Sequence, residues 1–158
     1  MIKLIVAMDQ NRLIGKNDSV NGMPWQDKEE MKHFRNTTLN HTLLMGETTY
    51  KAIGRPLPNR KTIVLSLEGF DDDHKEVEVN TSLDDVLNRY KDSDEVLFVS
   101  GGRSIYAQCL PYCDELLISR MKGTFTGETY FPEFESLGFK LVNSVEHETF
   151  TVETYRKD

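Results

Sequence analysis

Three carboxylates open one amphipathic segment, MPWQDKEEMKHFRN (residues 23–36), in which Asp27, Glu29 and Glu30 precede Met31 and Phe34. A carboxylic acid buried beside a cleft holds its proton to near-neutral pH, because desolvation disfavours the charged form, and can then deliver that proton in a reaction. The same acid on a helix rim only complements the positive helix terminus. At about 100° per residue, Met31 and Phe34 share one sector, with Asp27 near its centre, Glu30 at its margin and Glu29 opposite. Glu29 is therefore solvated. Asp27 and Glu30 stay tied, since D-x-x-E is also a capping box in which Glu30 reaches back to an Asp27 cap.

Other residues suit anion binding. Gly101-Gly102 ends an apolar run and RSIY then opens a helix, which offers free backbone N–H groups and a positive helix end to a phosphate. Glycines there also serve close packing alone. MGETTY (45–50) repeats the arrangement with Gly46 and the hydroxyls of Thr48 and Thr49, and two such helix starts at one sheet edge suit a dinucleotide. In GRPLPNRK (54–61), a proline-stiffened loop ends on Arg60, whose guanidinium can grip a carboxylate in bidentate fashion or cap the preceding helix. Trp25 either lines a pocket or closes the core.

The elements that position these groups follow from hydrophobic patterning. Strand-like runs at 3–8, 42–46, 61–66, 77–79, 95–102 and 114–121 alternate with helical patterns at 27–37, at 83–90 and from Arg103 onward. Leu83, Val86, Leu87 and Tyr90 recur at i, i+3, i+4, i+7 behind Ser82 as N-cap, and Ile105, Tyr106, Cys109 and Leu110 form the stripe of the later helix. The alternation predicts βαβ units and an α/β fold with a largely parallel sheet. FKLVNSVEHE and ETFTVETYRK lie too close for a helical crossover, so they pair as an antiparallel hairpin at the sheet edge. Turn chemistry falls at 17–22, 54–60, 68–74 and 126–133.

With 158 residues, 38% apolar and 28% charged, the chain suits one soluble domain, 1–158. No stretch approaches the roughly 18 apolar residues of a membrane span, so no membrane role is expected. A net charge of −7 without a basic run longer than two residues argues against nucleic acid as a partner. MIKLIVAMDQ lacks a cleavage site and reads as a first strand, which leaves a cytoplasmic location as the default. Cys109 and Cys113 read as buried free thiols. His33, His41, His74 and His147 lack metal-ligand spacing, so no metal is expected and each reads as a surface group.

MPW with an acid four residues ahead of a Phe, then MGETTY, IGRPLPNRK, GGRSIY and GETYFPE, occur in the order found in bacterial dihydrofolate reductase, and the chain resembles that family from residue 1 to residue 158. The resemblance implies an eight-stranded, mostly parallel sheet with about four helices, an antiparallel C-terminal hairpin, and a monomer. It implies NADPH-dependent reduction of 7,8-dihydrofolate to tetrahydrofolate in support of one-carbon metabolism. Glu30, five residues after Trp25 and four before Phe34, becomes the acid that bonds the pterin and helps deliver a proton to N5, and Asp27 becomes the cap. Ser119 supplies a supporting hydroxyl and Trp25 stands beside them. The backbone of Ile5 and Ser100 faces the pterin's other edge. Met31, Phe34, Ile53 and Leu57 line the substrate groove, and Arg60 holds a substrate carboxylate.

For the cofactor, the resemblance implies Ala7, Ile14, Gly15, Gly46, Glu47, Thr48 and Thr49, with Leu65 and Ser66. It adds Gly101 and Gly102, joined by a cis peptide, and Arg103, Ser104, Ile105 and Tyr106. The loop from Ile14 to Trp25 corresponds to a mobile lid, longer than usual through NDSVNG. Glu47 departs from the family, which places Arg or Lys there against the adenosine 2′-phosphate, so poor discrimination between NADPH and NADH is expected. Lys51, Lys61 and Arg103 are the cations in reach of that phosphate. Two rival functions share these features: a pyrimidine reductase of riboflavin synthesis, against which Glu30, Trp25 and Arg60 in their contexts argue, and a catalytically silent nucleotide-binding module.

Overall fold

The apolar run near the N-terminus forms the central strand, β1 (Ile2–Met8), in which every residue but Lys3 is buried. A strand so apolar requires parallel neighbours on both edges and cover on both faces. The computed structural model describes residues 1–17 and 22–157. Its strands are β1, β2 (Leu13–Gly15), β3 (Thr42–Gly46), β4 (Lys61–Leu65), β5 (Val77–Asn80), β6 (Leu97–Val99), β7 (Glu115–Met121), β8 (Thr129–Tyr130), β9 (Phe139–Glu146) and β10 (Phe150–Lys157). The helices are α1 (Lys28–Thr38), α2 (Glu47–Ile53), α3 (Leu83–Tyr90) and α4 (Arg103–Cys109).

Eight strands form one sheet in the order β5-β4-β3-β6-β1-β7-β10-β9. All pairs from β5 to β7 are parallel, and β10 is antiparallel to both β7 and β9. The chain leaves β1, skips a place to β3, runs outward to β5, and returns through β6 into the gap. The C-terminal ends of β1, β3, β4, β6 and β7 consequently share one edge, where a ligand crevice forms in open α/β sheets.

Alternation along the strands divides the core. Ile2, Leu4, Val6 and Met8 face a layer containing Val86 and Leu87 of α3 and Ile105 and Cys109 of α4. Ile5, Leu43, Met45 and Val64 face the other layer, where Tyr50 of α2 and the half-buried Phe34 of α1 pack. Ser82 caps α3 as its sequence predicts, accepting the Asp85 N–H at 3.2 Å. Cys109 and Cys113 are buried free thiols. Among the described residues no helix is long and apolar enough to cross a membrane.

Four sequence expectations need correction. The run at 95–102 is a strand only over Leu97–Val99, because Gly101 turns to φ 109° and joins Gly102 through a cis peptide. The turn-rich segment 126–133 contains β8, which pairs with β2 in a small separate sheet. Gly127 approaches the Gly15 carbonyl so closely there that any Cβ would collide. Met31, placed by the helical wheel in the apolar sector, is 59% exposed. His33 is no surface group: it is half-buried, 6.1 Å from the Phe150 ring and 6.4 Å from that of His147, and its Nε2 has no hydrogen-bond partner among the described residues. Burial and the neighbouring His147 lower its pKa.

A chain of rings, Tyr106 to Phe131 to Phe134 to Tyr155, with centroids 5.2, 5.9 and 5.1 Å apart, ties α4 to β10. Phe134 lies inside it at 1% exposure. Phe134→Ala should therefore lose about 3–5 kcal/mol of stability, read as a lower urea midpoint with an unchanged m-value.

Candidate active site

Asp27 and Glu30 part company at the start of α1. Asp27 is the N-cap, in extended backbone, and its carboxylate accepts the Glu30 N–H at 3.0 Å. Its other oxygen accepts the Thr149 hydroxyl at 2.5 Å, which fastens the helix start to the β9–β10 turn. Glu29 is solvent-facing and pairs with His147 at 3.0 Å. Glu30 turns inward to 7% exposure, and its carboxyl hydrogen-bonds Ser119 of β7. Burial raises its pKa from 4.5 to about 7, the Ser119 hydrogen bond opposes that rise, and the charge of Asp27 adds to it. An acid with this affinity for its proton is suited to proton transfer near neutrality.

Strand register sets the surroundings. Ser119 pairs with Ala7 of β1 on one side and Val152 of β10 on the other. Trp25 packs in the same cluster as Ala7 and Val152, at 8% exposure, and its indole Nε1 is a buried donor without a partner among the described residues. Tyr106 donates its hydroxyl to the Ile5 carbonyl at 2.9 Å. Burial first, and then the charge of Glu30, push that hydroxyl far up the pH scale, so it stays a neutral donor. This link between α4, β1 and the acid is invisible in sequence, where Tyr106 shows as part of an apolar stripe and, through the resemblance, as a cofactor position.

Phe34 and Leu57 are half-buried against the layer containing Ile5, while Ile53 is 41% exposed. Arg60 is 7% exposed, donating from Nε to the Pro58 carbonyl at 3.0 Å and from a terminal nitrogen to the Thr38 hydroxyl at 3.1 Å. Among the described residues no carboxylate pairs with it, and burial together with nearby Arg35 lowers its pKa. A buried guanidinium without a counter-ion is a site prepared for an anion.

The glycine motifs meet at the next crevice along the sheet. The Gly46 N–H donates to the Gly101 carbonyl at 2.9 Å, and the Ser100 N–H to the Leu44 carbonyl at 2.8 Å. A Cβ on Gly46 would come within 3.2 Å of Ile105, and one on Gly102 within 3.3 Å of the Thr49 hydroxyl. Gly46 caps α2 and Gly102 caps α4, neither with a side-chain hydrogen bond, so first-turn N–H groups of both helices remain available as donors. Leu65 and Ser66 are buried at the adjacent end of β4, whereas Thr48 and Ser104 are exposed, Ser104 accepting from Gln108.

Glu47 accepts a short hydrogen bond from the Ser66 hydroxyl and pairs with Lys51 at 2.8 Å. Lys51 and Ser66 hold its pKa below the usual carboxylate value. The cations expected near it are engaged. Lys51 serves Glu47 itself, and Arg103 donates from Nε to the Tyr130 carbonyl at 3.0 Å. Lys61 stands at the opposite end of β4, 3.8 Å from Glu78, and cannot reach the crevice. Of the expected lid, Ile14 and Gly15 lie in β2, half-buried, and residues 18–21 fall outside the described residues. Sequence reasoning missed Asp9, fully buried where β1 ends; its one signal was an Asp directly after a strand and before a turn.

The model of the family Dihydrofolate reductase matches residues 1–157. The dihydrofolate reductase of Bacillus subtilis is 41% identical over 144 residues, 91% of this chain and 83% of that protein. That of Mycoplasma genitalium is 35% identical over 161 residues, 99% of this chain and 98% of that protein. A solved dihydrofolate reductase from Enterococcus faecalis, in complex with NADP(H) and RAB-propyl, superimposes with a TM-score of 0.87 at 31% identity, covering 100% of this chain and 96% of that one.

The acid also leaves a mark on stability. Below pH 4.5 Glu30 is protonated in both folded and unfolded chains, but between 4.5 and about 7 only the folded chain keeps the proton. Its contribution is therefore full at low pH and is lost as pH rises through 7, on the order of 3 kcal/mol in all. Urea unfolding at pH 5 and pH 8 should show the wild type losing that much more stability across the interval than Glu30→Gln; equal losses would remove the assigned shift.

Proposed function

The chain belongs to the dihydrofolate reductase family and catalyses the NADPH-dependent reduction of 7,8-dihydrofolate to 5,6,7,8-tetrahydrofolate, and within that reaction we propose that Glu30 holds the proton destined for N5. The observation that carries this reading is the inward turn of Glu30 onto Ser119 while Asp27 takes over the helix cap. A neutral carboxyl donates a hydrogen bond, and its conjugate base accepts from the pterin's 2-amino group and N3. Ser119 orients the carboxyl, and Tyr106, kept neutral, steadies the β1 backbone at Ile5. Trp25 offers at the same wall its indole N–H, which has no partner among the described residues. Phe34, Ile53, Leu57 and Met31 receive the substrate's apolar middle. Arg60, held by Pro58 and Thr38 and without a carboxylate partner among the described residues, receives its terminal carboxylate.

The residues present fit the cofactor. Glycines at 46, 101 and 102 leave room that a Cβ would fill, and the uncapped first turns of α2 and α4 present N–H donors to phosphates. NADPH, when bound, supplies the hydride that goes to C6. The chain's part is to seat it through Ala7, Ile14, Gly15, Thr49, Leu65 and Ser66 together with the start of α4. In this reading residues 1–158 act as one domain and as a monomer. Two buried free thiols suit a reducing cytoplasm.

A second cofactor follows from Glu47. Its carboxylate, held charged by Lys51 and Ser66, repels a 2′-phosphate and accepts from a ribose hydroxyl, so NADH serves as well as NADPH.

Glu30→Gln should lower kcat/KM for dihydrofolate roughly 100-fold or more at pH 7 and abolish the decline in rate above that pH; undiminished turnover would remove its role. Glu47→Arg should raise the ratio of kcat/KM for NADPH to that for NADH roughly tenfold or more. A strong NADPH preference already present in the wild type would reject the dual-cofactor reading.

A further inference from the structure

Asp9 is fully buried one residue after β1, and no step above uses it. One carboxylate oxygen accepts the N–H groups of Asn11 and Leu13 at 2.8 and 2.9 Å, which shapes the turn into β2. The other accepts the N–H of Phe125 at 3.0 Å, from the segment between β7 and β8, 116 residues away. A turn alone needs only the first two bonds, and an exposed Asn or Ser would supply them. The third is a long-range tie. It has a companion at the neighbouring residue, where Gln10 Nε2 donates to the Met121 carbonyl at 2.8 Å. Phe125, fixed by its N–H, sets its ring edge-on against Trp25, with centroids 5.2 Å apart. Phe125 is 36% exposed and Trp25 is 8% exposed, so Phe125 covers the indole from solvent on that side.

We propose that Asp9 is a positioning residue for the reduction: its carboxylate binds the 122–128 segment to the end of β1, holds Phe125 on Trp25, and so fixes the wall beside Glu30. A carboxylate accepts at every position, whereas an amide of the same shape turns one acceptor into a donor facing an N–H. Asp9→Asn therefore breaks a link without changing volume. The proposal rests on the reading that reduction takes place beside Glu30.

Trp25 is the chain's single tryptophan, so its emission reports this wall directly. Asp9→Asn should increase acrylamide quenching of Trp25 and slow single-turnover oxidation of NADPH by dihydrofolate roughly tenfold. Phe125→Leu, which leaves the buried carboxylate alone, should do the same, and the double variant should be no slower than the slower single variant. Quenching and rate as in wild type, a change in one without the other, or additive losses would each overturn the proposal. If Asp9→Asn does not fold, Phe125→Leu decides by the same two readouts. Glu30→Gln provides the separate control: it slows turnover with Trp25 emission unchanged, and a failure there concerns the acid and not Asp9.

Discussion

The hydrogen bond from the Glu30 N–H to the Asp27 carboxylate, at 3.0 Å, determines what the Glu30 side chain is able to do. A helix start needs acceptors for its first N–H groups, and in D-x-x-E either acid can be drawn into that service. Because Asp27 performs it, and is itself anchored by Thr149, Glu30 is released to turn toward β7. There the loss of water raises its proton affinity, and the Ser119 hydroxyl offers a hydrogen bond that partly offsets the cost. The far end of α1 is fixed too, since Thr38 accepts from Arg60 while donating to the Phe34 carbonyl at 2.8 Å. One helix thus spans the distance between a proton-holding end and an anion-binding end.

Much of this architecture was legible in the sequence, and the failures have definite physical causes. The β1 run, the stripe of α3 and the final hairpin are periodic enough to declare themselves, and the glycine motifs mark strand ends that do converge on one crevice. The tie between Asp27 and Glu30 was not resolvable from the helical wheel, since burial on α1 is decided by β7, more than eighty residues away. The pair β2 and β8 escaped because strands of three and two residues have no pattern of their own and exist through each other. Met31 follows the helical period yet faces outward, as a period specifies a face and not what covers it. Asp9 and His33 escaped because a polar residue announces burial only through partners that tertiary structure supplies.

The crevice at the ends of β3 and β4 shows a local rearrangement of charge. Lys51 lies one turn after Glu47 and pairs with it, and Ser66 bridges from the end of the neighbouring strand. Two hydrogen bonds join these three groups, whereas Arg60, before the opposite end of β4, has no carboxylate partner among the described residues. The two ends of β4 therefore treat anions in opposite ways, although both belong to one α/β sheet.

The position of β10 has a consequence for biosynthesis. Among the described residues it is the last strand in the chain, yet it lies inside the sheet, between β7 and β9, and its Val152 pairs with Ser119. As the polypeptide emerges from the ribosome, β1 to β7 can assemble while β7 still forms an open edge, with the hydroxyl beneath Glu30 on a strand flanked on one side only. The strand that carries Ser119 thus gains its second neighbour only when the last of the described strands is made, long after β1 and β7 themselves.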